Sequence, residues 1–156
     1  MRLLKALAVA SVVGAWVVIV IGGYVTVSGS GLGCRDLITC NEPRDPVAAA
    51  IESTHRVAAW VEGLLVLGML ILVLRRHSAW IPVRNLTAIA FVLVATQASL
   101  GILAVATELH PMVVVAHLGV STAFLAVTVL NAAVVLWAKP PASPTAVTTS
   151  GAAETA

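Results

Sequence analysis

Residues 51–74 read IESTHRVAAWVEGLLVLGMLILVL, an apolar run that carries two charges and one histidine near its start and one carboxylate near its middle. A helix needs about 20 such residues to cross the hydrocarbon core of a bilayer. Three more runs of that length lie near 6–27, 86–107 and 112–138. Periodicity cannot separate helix from strand in runs this apolar, so length decides for helix. Lipid offers the backbone no hydrogen-bond partners, which also favours helices. Composition agrees: 60% of the 156 residues are hydrophobic and 10% charged, and the mean hydropathy is +1.02. Soluble domains carry about 25% charged residues. The expected fold is all-α, an integral membrane four-helix bundle spanning residues 1–139.

Lys and Arg placement sets the expected orientation. Arg2, Lys5, Arg75, Arg76, Arg84 and Lys139 fall on one side, and Arg35, Arg44 and Arg56 on the other. Both termini are therefore expected in the cytoplasm, with the 28–50 loop and the 108–111 turn outside. The multi-pass chain belongs in a cell membrane, the plasma membrane of a bacterium or archaeon. Its first run exceeds the roughly 7–15 apolar residues of a signal core, so it is expected to remain. The net charge of +2 is accounted for by orientation and makes no case for nucleic acid. The segment 140–156, rich in Pro, Ala, Ser and Thr, has little to pack and is expected to be a disordered cytoplasmic tail.

The loop opens with Ser28-Gly29-Ser30-Gly31-Leu32-Gly33, which permits tight turns and close backbone approach. It lacks the Lys-Ser/Thr ending of a phosphate-binding loop. Cys34 and Cys40 both lie in this outward loop, where disulfides are permitted. A structural disulfide and a redox-active thiol pair are both consistent with that position.

His55 and His117 lie about four and five residues inside the second and fourth runs, both of which descend from the outer face. At about 1.5 Å per residue, both imidazoles share one depth. Two such histidines can bind a metal or supply both axial ligands of a haem. Each can instead hydrogen-bond a neighbouring helix. Glu52, three residues before His55 and four before Arg56, shares its helical face. The carboxylate can orient His55, move protons or pair with Arg56. Arg56 can alternatively meet a haem propionate. Glu62, seven residues past His55, lies on nearly the same face and about 10 Å deeper. It can be a member of a proton path or hydrogen-bond Thr or Gln on another helix, and a bond to Thr96 or Gln97 is the expectation. His110 and His77 read as surface residues, and Trp16, Tyr24 and Trp60 as packing or interface aromatics.

Together these segments resemble a known family. Thr26-Val27-Ser28-Gly29-Ser30-Gly31-Leu32-Gly33-Cys34, followed by Cys40, looks like the first outer loop of haem A synthases. Glu52-Ser53-Thr54-His55-Arg56 is similar to that family's Glu-x-x-His-Arg motif. Gln97-Ala98-Ser99-Leu100-Gly101 and Pro111-Met112-Val113-Val114-Val115-Ala116-His117-Leu118 resemble its third and fourth helices. The resemblance implies an oxidoreductase of haem A biosynthesis and cytochrome oxidase assembly, converting the C8 methyl of haem O to the formyl of haem A. It implies His55 and His117 as axial ligands of haem iron, Glu52 in catalysis, and a Cys34–Cys40 disulfide. A haem b cofactor, haem O as substrate and haem A as product follow from it. Haem O synthase and terminal oxidase assembly factors are candidate partners.

Members of that family usually have eight helices in two related halves, and this sequence supplies the cysteine-bearing half. It reads Arg35-Asp36-Leu37 where a Pro-Asp-Trp run is common. A homodimer would rebuild eight helices. The alternatives are a bis-histidine haem protein for electron transfer or haem handling without methyl oxidation, and an assembly subunit that binds no haem.

Overall fold

The computed structural model describes residues 1–36 and 40–141. It contains four long helices, α1 (Arg2–Val27), α2 (Pro46–Arg76), α3 (Ile81–Ala106) and α4 (Pro111–Trp137). All four are long and apolar enough to cross a membrane. The chain is an all-α, multi-pass membrane bundle. From 142 onward, the segment expected as a tail lies outside the described residues, as do residues 37–39 of the loop.

Helix starts differ from the apolar boundaries where a cap extends the helix. α2 begins at Pro46 rather than near 51 because the Asp45 side chain accepts the Ala48 N–H at 2.7 Å. Proline at the first turn has no N–H to leave unpaired. Pro82 and Pro111 stand in the first turns of α3 and α4. Arg75 and Arg76 end α2, where cations face the negative end of the helix dipole.

Each helix packs on two neighbours: α1 on α2 and α4, and α3 on the same two. α2 and α4 therefore stand on one diagonal and α1 and α3 on the other. At the end bearing Arg75, Arg76 and Arg84, an apolar layer joins Leu4, Ala8, Met69, Val73, Val83 and Val135. A second layer, of Ala15, Val66, Ala90 and Phe124, lies nearer the middle. The outward faces are apolar as well, with Val13, Val20, Val61, Leu64, Val92 and Leu118 among many exposed. Trp16, Tyr24 and Trp60 are also on that surface. A helix apolar all round is one whose exterior meets lipid.

The loop after α1 closes the opposite end. Gly29 takes φ +69°, the left-handed turn that glycine adopts without strain. A bridge pairs Cys34 with Pro43, and the Arg44 N–H donates to the Gly33 carbonyl at 2.8 Å. Gly33 lies so close to α2 that a Cβ there would stand 2.4 Å from the Ala48 carbonyl carbon. The close approach expected of this glycine run is found at that point.

Candidate functional site

The site is built where the disulfide loop meets the outer turns of α2. Cys34 and Cys40 are joined by a disulfide, with Cα atoms 4.9 Å apart. The Cys34 N–H donates to Glu52 Oε2 at 2.9 Å. Glu52 Oε1 accepts from Arg56 Nη2. Both terminal nitrogens of Arg56 donate to the Asp36 carbonyl oxygen at 3.1 Å, and Nη1 lies 3.6 Å from the Asp36 carboxylate. Glu52 is fully buried, so its charge is compensated by that guanidinium and by the backbone N–H. The i,i+4 pairing read from the sequence is thus present. What the sequence did not disclose is that it ties α2 to the loop: Asp36, 20 positions before Arg56, and the Cys34 N–H, 18 before Glu52, complete the cluster.

One turn deeper, His55 projects toward α1. A Cβ on Gly22 would stand 2.8 Å from His55 Cε1 and 3.3 Å from its Nδ1, so the imidazole lies flush on that glycine. On the other side of the bundle, His117 faces α3, where a Cβ on Gly101 would stand 3.6 Å from His117 Cε1. Gly22 and Gly101 each sit five residues before the outer end of their helix. The two seats, and the rings on them, therefore lie at one level. Both Nδ1 atoms are buried and have no hydrogen-bond partner.

The His117 backbone is held from two sides. Its carbonyl accepts from Gln97 Nε2 at 2.8 Å and from Ser121 Oγ at 2.9 Å. An open apolar cleft of about 740 Å³ flanks this level between α1 and α2, lined by Val20, Ile21, Tyr24, Val47, Ile51 and Thr54. Thr54 immediately precedes His55, Ile51 lies one turn before it, and Ile21 adjoins Gly22.

One expectation fails. Glu62 makes no hydrogen bond to Thr96 or Gln97: Thr96 donates to the Val92 carbonyl, and Gln97 to His117. Glu62 instead lies buried against α1, where a Cβ on Gly14 would overlap its carboxylate. The reason is the face it shares with His55, since both side chains seven residues apart turn to α1 and meet Gly14 and Gly22. His110 is exposed and caps α4 through its backbone, and His77 is partly exposed beyond α2.

The arrangement offers two imidazoles at one level, one seated on α1 and one on α3, in an apolar surround beside a loop fixed by a disulfide and an ion-pair cluster. The residues fit a cofactor that takes two imidazole nitrogens: two donors of the right kind at one depth, with buried ring nitrogens still lacking partners. Sequence reasoning found the donors but not their seats. Gly22 stands in Ile21-Gly22-Gly23-Tyr24, where the paired glycines in an apolar helix were the available signal.

Residues 44–154 match the family described as cytochrome oxidase assembly protein (COX15-CtaA). The haem A synthase of Bacillus mycoides (strain KBAB4) is 31% identical over 134 residues, covering 83% of this chain and 43% of that protein. That of Bacillus pumilus (strain SAFR-032) is 32% identical over 138 residues, covering 83% and 45%. That of an Exiguobacterium species (strain ATCC BAA-1283 / AT1b) is 31% identical over 113 residues, covering 69% and 38%. The chain spans about two fifths of the length of these curated relatives. No solved structure matches it.

Proposed function

The chain belongs to the cytochrome oxidase assembly protein family, and from that premise we propose that it is a haem A synthase-like membrane oxidoreductase that holds haem between His55 and His117. The observation that carries this reading is the pair of level, half-buried imidazoles, each on a glycine and each with a buried, unpartnered Nδ1. A bound haem b would supply redox iron at this level.

The remaining residues hold and orient. Gly22 and Gly101 give the two rings room. Gln97 and Ser121 fix the α4 backbone at His117. The loop is pinned to the outer turns of α2 by Glu52, Arg56 and the disulfide. The open cleft beside His55 suits lateral arrival of an apolar macrocycle from lipid. In this reading haem O is the substrate, its C8 methyl is oxidised to the formyl of haem A, and Glu52 serves the proton chemistry. Two copies of the chain would rebuild an eight-helix unit with two histidine pairs. By its basic residues the end opposite the loop is cytoplasmic, in the plasma membrane of a bacterium or archaeon.

One observation favours a second reading. Both Glu52 oxygens are already engaged, by the Cys34 N–H and by Arg56. A carboxylate so occupied suits a structural role, and the protein would then carry or handle haem without oxidising its methyl group.

Pigment extraction separates the two. Cells making the chain beside a source of haem O should accumulate haem A under the first reading and only bound haem under the second. His55→Ala and His117→Ala should each abolish the bis-histidine spectrum. Unaltered haem content in both variants would refute the ligand assignment, and active protein that is strictly monomeric would refute the dimer.

A further inference from the structure

Between the two apolar layers lies a small polar space that the haem site does not use. It is a cavity of about 10 Å³ bounded by all four helices, with Ser11 and Ala8 from α1, Val66 and Met69 from α2, Thr87 and Ala90 from α3, and Thr128 and Asn131 from α4. Asn131 Nδ2 donates to Thr87 Oγ1 at 3.0 Å, and Thr87 Oγ1 donates to the Val83 carbonyl at 2.7 Å. That leaves Asn131 Oδ1 and Ser11 Oγ, both buried and both without a partner. Both residues are 3% exposed.

A buried polar group without a hydrogen bond costs about 1–3 kcal/mol. Two of them lining one cavity call for a shared partner. A space of roughly 10–15 Å³ holds one water when polar groups surround it.

We propose that the cavity binds one water molecule, which joins Ser11 Oγ to Asn131 Oδ1 and so ties α1 to α4 across the bundle core. Ser11 donates to the water or accepts from it, and Asn131 Oδ1 accepts. The layer of Leu4, Met69, Val73, Val83 and Val135 seals the site from the basic end. The layer of Ala15, Val66, Ala90 and Phe124 closes it on the other side, so the water is a resident of the bundle. This inference is independent of whether haem binds above it.

The test uses the full chain in lipid nanodiscs with ¹³C-labelled methionine methyls. Met69 lines the cavity, whereas Met112 is exposed at the far end. Magnetisation transfer from water to the Met69 methyl is expected in the wild type. It should fall at least about tenfold in Asn131→Leu, which removes the acceptor and fills the space, with Met112 as an unchanged internal standard. Ser11→Ala, a smaller change, should lower it as well, and serves if Asn131→Leu does not fold. Absence of transfer at Met69 in the wild type, or full transfer in both variants, overturns the proposal.

Discussion

Gly22 and Gly23 are adjacent in α1 and differ only in what faces them, which makes them a matched pair for testing the His55 seat. A methyl on Gly22 would stand 2.8 Å from His55 Cε1, 3.3 Å from Nδ1 and 3.5 Å from Nε2, whereas one on Gly23 meets nothing within 4 Å. Gly→Ala inside a helix gains up to about 1 kcal/mol from propensity, and both variants share that gain. Ordinary contact begins near 3.4 Å, so in Gly22→Ala the ring must retreat by roughly 0.6 Å, an overpacking that typically costs about 1–3 kcal/mol. If the ring on this seat is the one that binds iron, Gly22→Ala should bind haem roughly 5- to 150-fold more weakly than Gly23→Ala. Haem titration of the two purified variants, followed by the visible spectrum, measures the ratio. Circular dichroism confirms that both remain helical. Equal affinity in the two variants would refute the claim that His55 ligates from the α1 face.

The Glu52 cluster makes a graded prediction. Glu52→Gln keeps an acceptor for the buried Cys34 N–H, while Glu52→Ala leaves it bare, so Ala should be less stable than Gln by about 1–3 kcal/mol in detergent unfolding; equal stabilities would mean that Glu52 does not hold the loop. Reducing the Cys34–Cys40 bond, or replacing both residues by serine, frees a loop closed over a sequence separation of 6 and should lower stability by about 2 kcal/mol. An unfolding midpoint insensitive to reductant would contradict this. Outside the spans, burial, the N-terminal ammonium and Arg76 hold the His77 imidazole below its ordinary value of 6.5. In the unfolded chain His77 binds its proton first as pH falls, so its contribution is fully present above pH 6.5 and is lost as pH drops through the lower folded value. Imidazole NMR should show the depressed titration, rising in part in Arg76→Gln.

The long apolar runs settled the span count and fold class, because about 20 residues without charge have few fates other than a bilayer. The same runs put His55 and His117 near the outer ends of their spans. α2 starts at Pro46, however, so counting from the helix starts does not match their depths, and their common level is read from Gly22 and Gly101. Direction was a different matter. These helices are apolar nearly all round, so no polar face marks which side turns inward. Small residues decided it: Gly22 and Gly101 received the imidazoles, and Gly14 drew Glu62 to α1 rather than to Thr96 or Gln97. Likewise the sequence paired Glu52 with Arg56, since i,i+4 spacing is local. Only the tertiary structure brought Asp36 and the Cys34 N–H to that pair, and set Ser11 opposite Asn131, because those contacts depend on how separate segments pack and not on spacing within any one of them.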